Sequence, residues 1–259
     1  MIDFLMSFSV IVLELNRLLG TRFVPGHPSA TSPLGASLSG VLAHHNSGNY
    51  NHRDYELQKL QFLVQNLQQL EKSQPDLKRH YSKTLRRTGS SDSFFGARFE
   101  VNIASSLLKK GIGITKRERP DFLIQNSNIA IECTSVRLRT AQAKKDFDYK
   151  INATLSKKAA KGYASRSTAL FVDYTNFAHN SRPFDPEKFR HAAIRAGNAS
   201  PFGAIVLFNY LMNKDLNRFE STYVRINHSE IGGDLLAFLN AHYSSGAHRV
   251  HDFSLPYEG

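Results

Sequence analysis

A chain of 259 residues with 41% apolar and 21% charged side chains can bury one substantial core, or one core plus a helical appendage, and this excludes disorder over its whole length. Its only cysteine, Cys133, excludes an intrachain disulfide framework and a cysteine-rich zinc cluster, and points to a reducing, cytoplasmic setting. With 33 basic and 22 acidic residues the formal charge is +11, a balance that suits a polyanionic partner.

Residues 1–20, MIDFLMSFSVIVLELNRLLG, are strongly apolar. Asp3 stands ahead of the apolar run, and Glu14 and Arg17 interrupt it, so the segment lacks the basic start of a signal peptide and the length of a membrane span. A helix or strand packed on the rest of the protein is expected, with no integral membrane association. Attachment to a membrane surface is the alternative for this segment.

Residues 21–52 are rich in Gly, Pro, Ser, Asn and His and show little periodicity, so they read as a long loop or linker. Leu60, Leu63, Leu67 and Leu70 then fall at helical spacing and predict a helix over 54–72, with Asp54 as its cap and its end near Ser73 because Pro75 follows. A second, basic helix is expected at 76–87. The eleven histidines are dispersed without an HExxH or paired Cys/His pattern, and His44-His45 is an isolated dipeptide. TGSSDS at 88–93 marks the expected boundary between a mainly helical extension, 1–93, and a domain at 94–259.

Beyond that boundary the pattern predicts a helix at 94–110 ended by Gly111, strands near 112–115, 121–125 and 129–134, and a helix at 148–164. A strand at 168–174, a helix at 185–196 with Pro186 in its first turn, strands at 203–210 and 219–226, and a helix at 231–241 complete the series. Helices alternating with hydrophobic strands make the fold class α/β, a mixed central sheet covered by helices. Residues 94–259 hold 23 basic and 15 acidic side chains, and 1–93 hold ten and seven, so the later part carries +8 of the +11. Nine basic residues, among them Arg137, Arg139, Lys144, Lys145 and Arg166, concentrate at 137–166, where they can hold a polyanion through phosphate contacts.

Three acids stand out within this domain. On the helix at 94–110, Ala97, Ile103, Ala104, Leu107 and Leu108 form one apolar stripe with Glu100 near its middle, where a carboxylate is costly unless paired or bound to metal. Asp121 opens the run Phe122-Leu123-Ile124, and Glu132 ends the run Ile129-Ala130-Ile131 after a polar turn at 125–128. Two strands joined by that turn bring both carboxylates to one edge, as a clamp for Mg²⁺, which takes oxygen ligands. On the next helix Ile151, Leu155, Ala159 and Gly162 define the inward side, and Lys158 projects beside it as the amine nearest a scissile phosphate. Lys150 and Lys157 are the alternatives. Asp173 reads as a turn cap, and Tyr163 as a sheet-packing aromatic.

The helix carrying Glu100, then Pro120-Asp121, then Ile131-Glu132-Cys133-Thr134, resembles the PD-(D/E)xK, or restriction-endonuclease-like, nuclease superfamily over about residues 94–176. The resemblance implies that Glu100, Asp121 and Glu132, with the Cys133 carbonyl, bind Mg²⁺ or Mn²⁺ for phosphodiester hydrolysis. The superfamily's last motif places a lysine two residues after its Glu, where this chain has Thr134. Lys158 looks like a basic residue moved to the following helix. Water attack on phosphorus with departure of the 3′ oxygen would leave a 5′-phosphate. The expected activity is a metal-dependent endonuclease, on DNA ahead of RNA, in restriction or defence, with a homodimer as a candidate assembly. A catalytically inactive nucleic-acid-binding module of the same fold is the alternative.

Overall fold

A computed structural model describes residues 2–29, 31–87, 89–137, 147–176, 191–192, 194–195, 200–213 and 218–244. The chain divides into two compact units, Met1–Ile112 with Met212–Phe219, and Gly113–Leu211 with Glu220–Gly259.

The first unit holds five helices: α1 (Ile2–Leu19), α2 (Pro33–Asn46), α3 (Tyr50–Ser73), α4 (Pro75–Arg87) and α5 (Ser91–Lys109). Phe8, Val12, Leu15 and Leu19 recur at helical spacing along α1 and are buried. The same holds for Leu60, Leu63, Leu67 and Leu70 of α3, each contributing on the order of 1.5–3 kcal/mol through burial. Phe219 joins this unit, its ring centroid 5.3 Å from that of Phe62 and 5.9 Å from that of Tyr55. Among the described residues no helix is long and apolar enough to cross a membrane.

Residues 33–46 correct the expected loop at 21–52. They form α2 because Ser32 accepts a hydrogen bond from the Gly35 N–H at 3.1 Å, while Pro33 occupies the first turn, where its missing N–H costs nothing. Leu34, Leu38 and Val41 make its buried side, a period diluted in the sequence by the Gly, Ala and Ser residues between them. Helix α3 starts before the expected Asp54: Asn49 is its cap and accepts from the His52 N–H at 3.4 Å. Helix α5 packs with α3 and α4, and the compact division falls after Ile112 rather than at residue 93. Asn66 donates to Asn102 at 2.9 Å, a buried polar pair tying α3 to α5.

The second unit is built on a mixed sheet of strands β1 (Ile114–Lys116), β2 (Phe122–Ile124), β3 (Ala130–Ser135), β4 (Thr168–Asp173), β5 (Ala204–Asn213) and β6 (Arg218–Asn227), adjacent in that order. β1, β2 and β3 run antiparallel, whereas β3, β4 and β5 are parallel. Helix α6 (Phe147–Ala159) lies between β3 and β4 in the chain, and α7 (Gly233–His242) follows β6. Parallel strands buried on both sides read as continuous apolar runs, as ALFV in β4 does. Leu170, Val172, Ile205 and Leu207 pack with Ile151 and Leu155 of α6. Phe171 and Phe208, of opposite parity, meet the ring of Tyr243 beyond α7. Gly203 precedes β5 because a Cβ there would collide with the Arg166 carbonyl oxygen. Most of the expected helix at 185–196 lies outside the described residues, as do Arg139, Lys144 and Lys145 of the basic cluster.

Candidate active site

A tight hairpin fixes how Asp121 and Glu132 meet. The Ile124 N–H donates to the Ile129 carbonyl at 3.0 Å, and Ser127 bridges the turn by donating to the Ile124 carbonyl and accepting from the Ile129 N–H. Asn126 takes a φ of 58° there, a conformation asparagine tolerates better than most residues. Phe122 is therefore opposite Ile131 and Leu123 opposite Ala130; one step further along this register brings Asp121 opposite Glu132, on one face. The Cys133 N–H donates to Asp121 Oδ2 at 2.7 Å and locks the aspartate against β3. The Lys116 ammonium takes the other oxygen, Oδ1, at 2.9 Å.

Glu132 faces α6 because it stands in register with Leu170, whose side chain belongs to the core beneath that helix. Lys158 follows Leu155 by one turn on the inward side of α6, and its ammonium donates to Glu132 Oε1. It also lies 3.4 Å from the Cys133 carbonyl oxygen. The Tyr163 hydroxyl donates to the same Oε1 at 2.8 Å. Burial raises the Tyr163 pKa, and its bond to Glu132 and the carboxylate charges of Glu132 and Asp121 push further in that direction, so the hydroxyl stays protonated and donates. Two carboxylates and two ammonium groups thus form a neutral set, the arrangement under which buried charge is tolerated. Glu132 is 3% exposed, whereas the Lys158 side chain keeps 24%, so the lysine is the member that reaches solvent.

None of the family models, curated proteins or solved structures compared with the chain matches it.

Of the residues singled out by sequence, the second unit brings together Asp121, Glu132, Cys133 and Lys158. Among its described residues the carboxylates so gathered are those of Asp121 and Glu132. Glu100 belongs to the first unit, where it is half-buried on α5 and accepts a 2.9 Å hydrogen bond from the buried Tyr81 hydroxyl. Lys157 is exposed and Lys150 is half-buried near the start of α6. Thr134 stands opposite Val172 of β4 and is half-buried. Asp173 accepts from the Thr175 N–H at 3.0 Å, the turn-capping part expected of it.

One member was missed in the sequence, and a second, Tyr163, was read only as a sheet-packing aromatic; it does pack against the core, and it also bonds Glu132. Lys116 sits opposite Phe122 in the β1–β2 register, and only that pairing shows it to be a neighbour of Asp121. Tyr163 lies past the end of α6, where helical projection no longer applies, and its signal was simply a tyrosine five residues beyond the favoured lysine.

The donors at this site are oxygens throughout: both carboxylates and the Cys133 carbonyl, the hard set that Mg²⁺ and Mn²⁺ take. Glu132 Oε2 is buried with no hydrogen-bond partner among the described residues. A carboxylate oxygen in that state is costly, and ligation to a cation relieves it. These residues fit a divalent ion.

Proposed function

We propose that this chain is a Mg²⁺- or Mn²⁺-dependent nuclease that hydrolyses phosphodiester bonds in nucleic acid, DNA ahead of RNA. The observation that carries the reading is the meeting of Asp121, Glu132 and Lys158, where the Lys158 ammonium bridges Glu132 and the Cys133 carbonyl. In chain order, a helix, three antiparallel strands, a second helix and a strand parallel to the third also support a restriction-endonuclease-like architecture.

Asp121, Glu132 and the Cys133 carbonyl would hold the cation, which supplies Lewis-acid activation of water and phosphate when bound. Asp121 is kept in place by the Cys133 N–H, so its orientation is set before substrate arrives. Lys158, half-buried with its long stem reaching solvent, is able to turn its ammonium towards a phosphate oxygen and offset the charge that develops there. It takes the part that a strand lysine at position 134 would otherwise play. Restriction or defence against foreign DNA is the role we attach to this activity.

The test is cleavage of supercoiled plasmid, linear duplex, single-stranded DNA and RNA with Mg²⁺, Mn²⁺ or a chelator. Cleavage by the unaltered chain that is abolished in Glu132→Gln and kept in Lys78→Ala supports the site. A second reading, a nucleic-acid-binding module without cleavage, draws on Thr134 at the lysine position and on both carboxylates already being neutralised by lysines. Binding without cleavage under every metal condition would establish that reading instead.

A further inference from the structure

Glu132 presents its two oxygens unequally. Oε1 receives both the Lys158 ammonium and the Tyr163 hydroxyl, whereas Oε2 is buried with no hydrogen-bond partner among the described residues. Two donors converging on one oxygen fix the direction of a carboxylate, because any rotation that moves Oε1 breaks both bonds.

The two donors are not equivalent. Lys158 carries its charge on a flexible stem that keeps 24% of its surface, and the phosphate contact proposed for it requires the ammonium to leave Oε1. Tyr163 has a planar ring packed against the core beneath α6, and its own carbonyl accepts from the Thr168 hydroxyl at 2.8 Å. It stands in the turn between α6 and β4, and a planar ring with two side-chain torsions, packed in this way, turns less readily than the four-carbon stem of a lysine. When the lysine turns to substrate, the phenol is the donor left on Oε1.

We infer that Tyr163 is a positioning residue for Glu132: it holds Oε1 from the α6–β4 turn, leaves Oε2 as the oxygen offered to the divalent cation, and so sets the affinity of the site for that ion. This rests on the metal-dependent reading above and adds to it a residue and a choice of oxygen. Hydrogen-bonded supports of this kind orient a ligand without touching the metal, and losing one typically weakens metal binding by about 10- to 100-fold.

Mn²⁺ binding to the full chain, followed by the paramagnetic resonance of the free ion, tests it without reference to turnover. Tyr163→Phe keeps the ring and removes the donor. Its dissociation constant for Mn²⁺ should rise by about 10-fold or more while the far-ultraviolet circular dichroism stays that of the folded chain, and added Mn²⁺ should restore plasmid cleavage. Because Tyr163 acts through Glu132, the Phe substitution should weaken Mn²⁺ binding no further in a Glu132→Gln background. Wild-type affinity in Tyr163→Phe, or an additive loss in the double variant, overturns the inference while leaving the nuclease reading intact. A folded wild-type chain that takes up no Mn²⁺ overturns both.

Discussion

Lys158 and Glu132 stand 26 residues apart in the chain and form one ion pair, with the lysine also 3.4 Å from the carbonyl oxygen of Cys133. Removing the lysine alone leaves a buried carboxylate with the Tyr163 hydroxyl as its remaining donor among the described residues. Lys158→Met should therefore destabilise the protein by about 1–3 kcal/mol, the cost of breaking a buried pair discounted for the exposure of the lysine. It should also slow cleavage by roughly 100-fold. Glu132→Gln with Lys158→Met together should recover most of that stability in urea unfolding and none of the cleavage. A double variant as unstable as Lys158→Met would show that the pair is not what holds the lysine in place.

Neutralised carboxylates predict a site that does not need its cation in order to fold. Lys116 on Asp121 and Lys158 on Glu132 already offset both charges, and the apolar core beneath α6 is built from other side chains. A chelator should stop cleavage without changing the far-ultraviolet circular dichroism. Adding Mn²⁺ should then raise the melting temperature, since a ligand at 100 times its dissociation constant stabilises by about 2.7 kcal/mol. Unfolding by the chelator would place the cation in the framework of the fold rather than in its chemistry.

Helical and strand periods made most of the architecture legible. The Leu60 to Leu70 series, the end of α3 ahead of Pro75, and the strands around Asp121, Glu132 and β4 fall where apolar spacing placed them, whereas the start of α3 lies at Asn49 rather than at Asp54. Helix α2 was not legible, because Gly, Ala and Ser fill the positions between Leu34, Leu38 and Val41 and lower the contrast on which the period depends. Lys158 was found because Ile151 and Leu155 define the inward side of α6 and the lysine falls beside it. Lys116 was not, since its nearness to Asp121 depends on strand pairing, which local pattern does not specify.

Alkaline pH probes three phenols, the buried Tyr174 and the half-buried Tyr163 and Tyr223. Burial raises the pKa of Tyr163, Tyr174 and Tyr223, with Glu132 and Asp121 adding to the effect at Tyr163 and Asp173 at Tyr174. Their folded values exceed the ordinary 10.0 of the unfolded chain, so above that pH the unfolded state releases protons that the folded state keeps. The stability tied to each is fully present below pH 10 and is lost as the pH climbs from there through the folded value. Urea unfolding between about pH 9 and about pH 11 should show this decline, and Tyr163→Phe should make it shallower by one tyrosine's share. An unchanged slope in that variant would mean that burial and the bond to Glu132 do not hold the Tyr163 hydroxyl in its protonated form.

Glu100 tests how far the resemblance extends. The buried Tyr81 hydroxyl donates to its Oε2 at 2.9 Å, a bond within the first unit that a structural carboxylate would make equally well. Glu100→Gln preserves an acceptor for Tyr81 and the volume of the side chain, so the melting temperature should move little. The third acidic position that the resemblance assigns to Glu100 predicts that cleavage nonetheless falls as far as in Glu132→Gln. Comparing the two variants in the plasmid assay, each with its melting curve, separates the outcomes. Cleavage retained in Glu100→Gln would confine the chemistry to Asp121, Glu132 and Lys158 in the second unit, and would leave Glu100 as the partner of Tyr81 in packing α4 against α5.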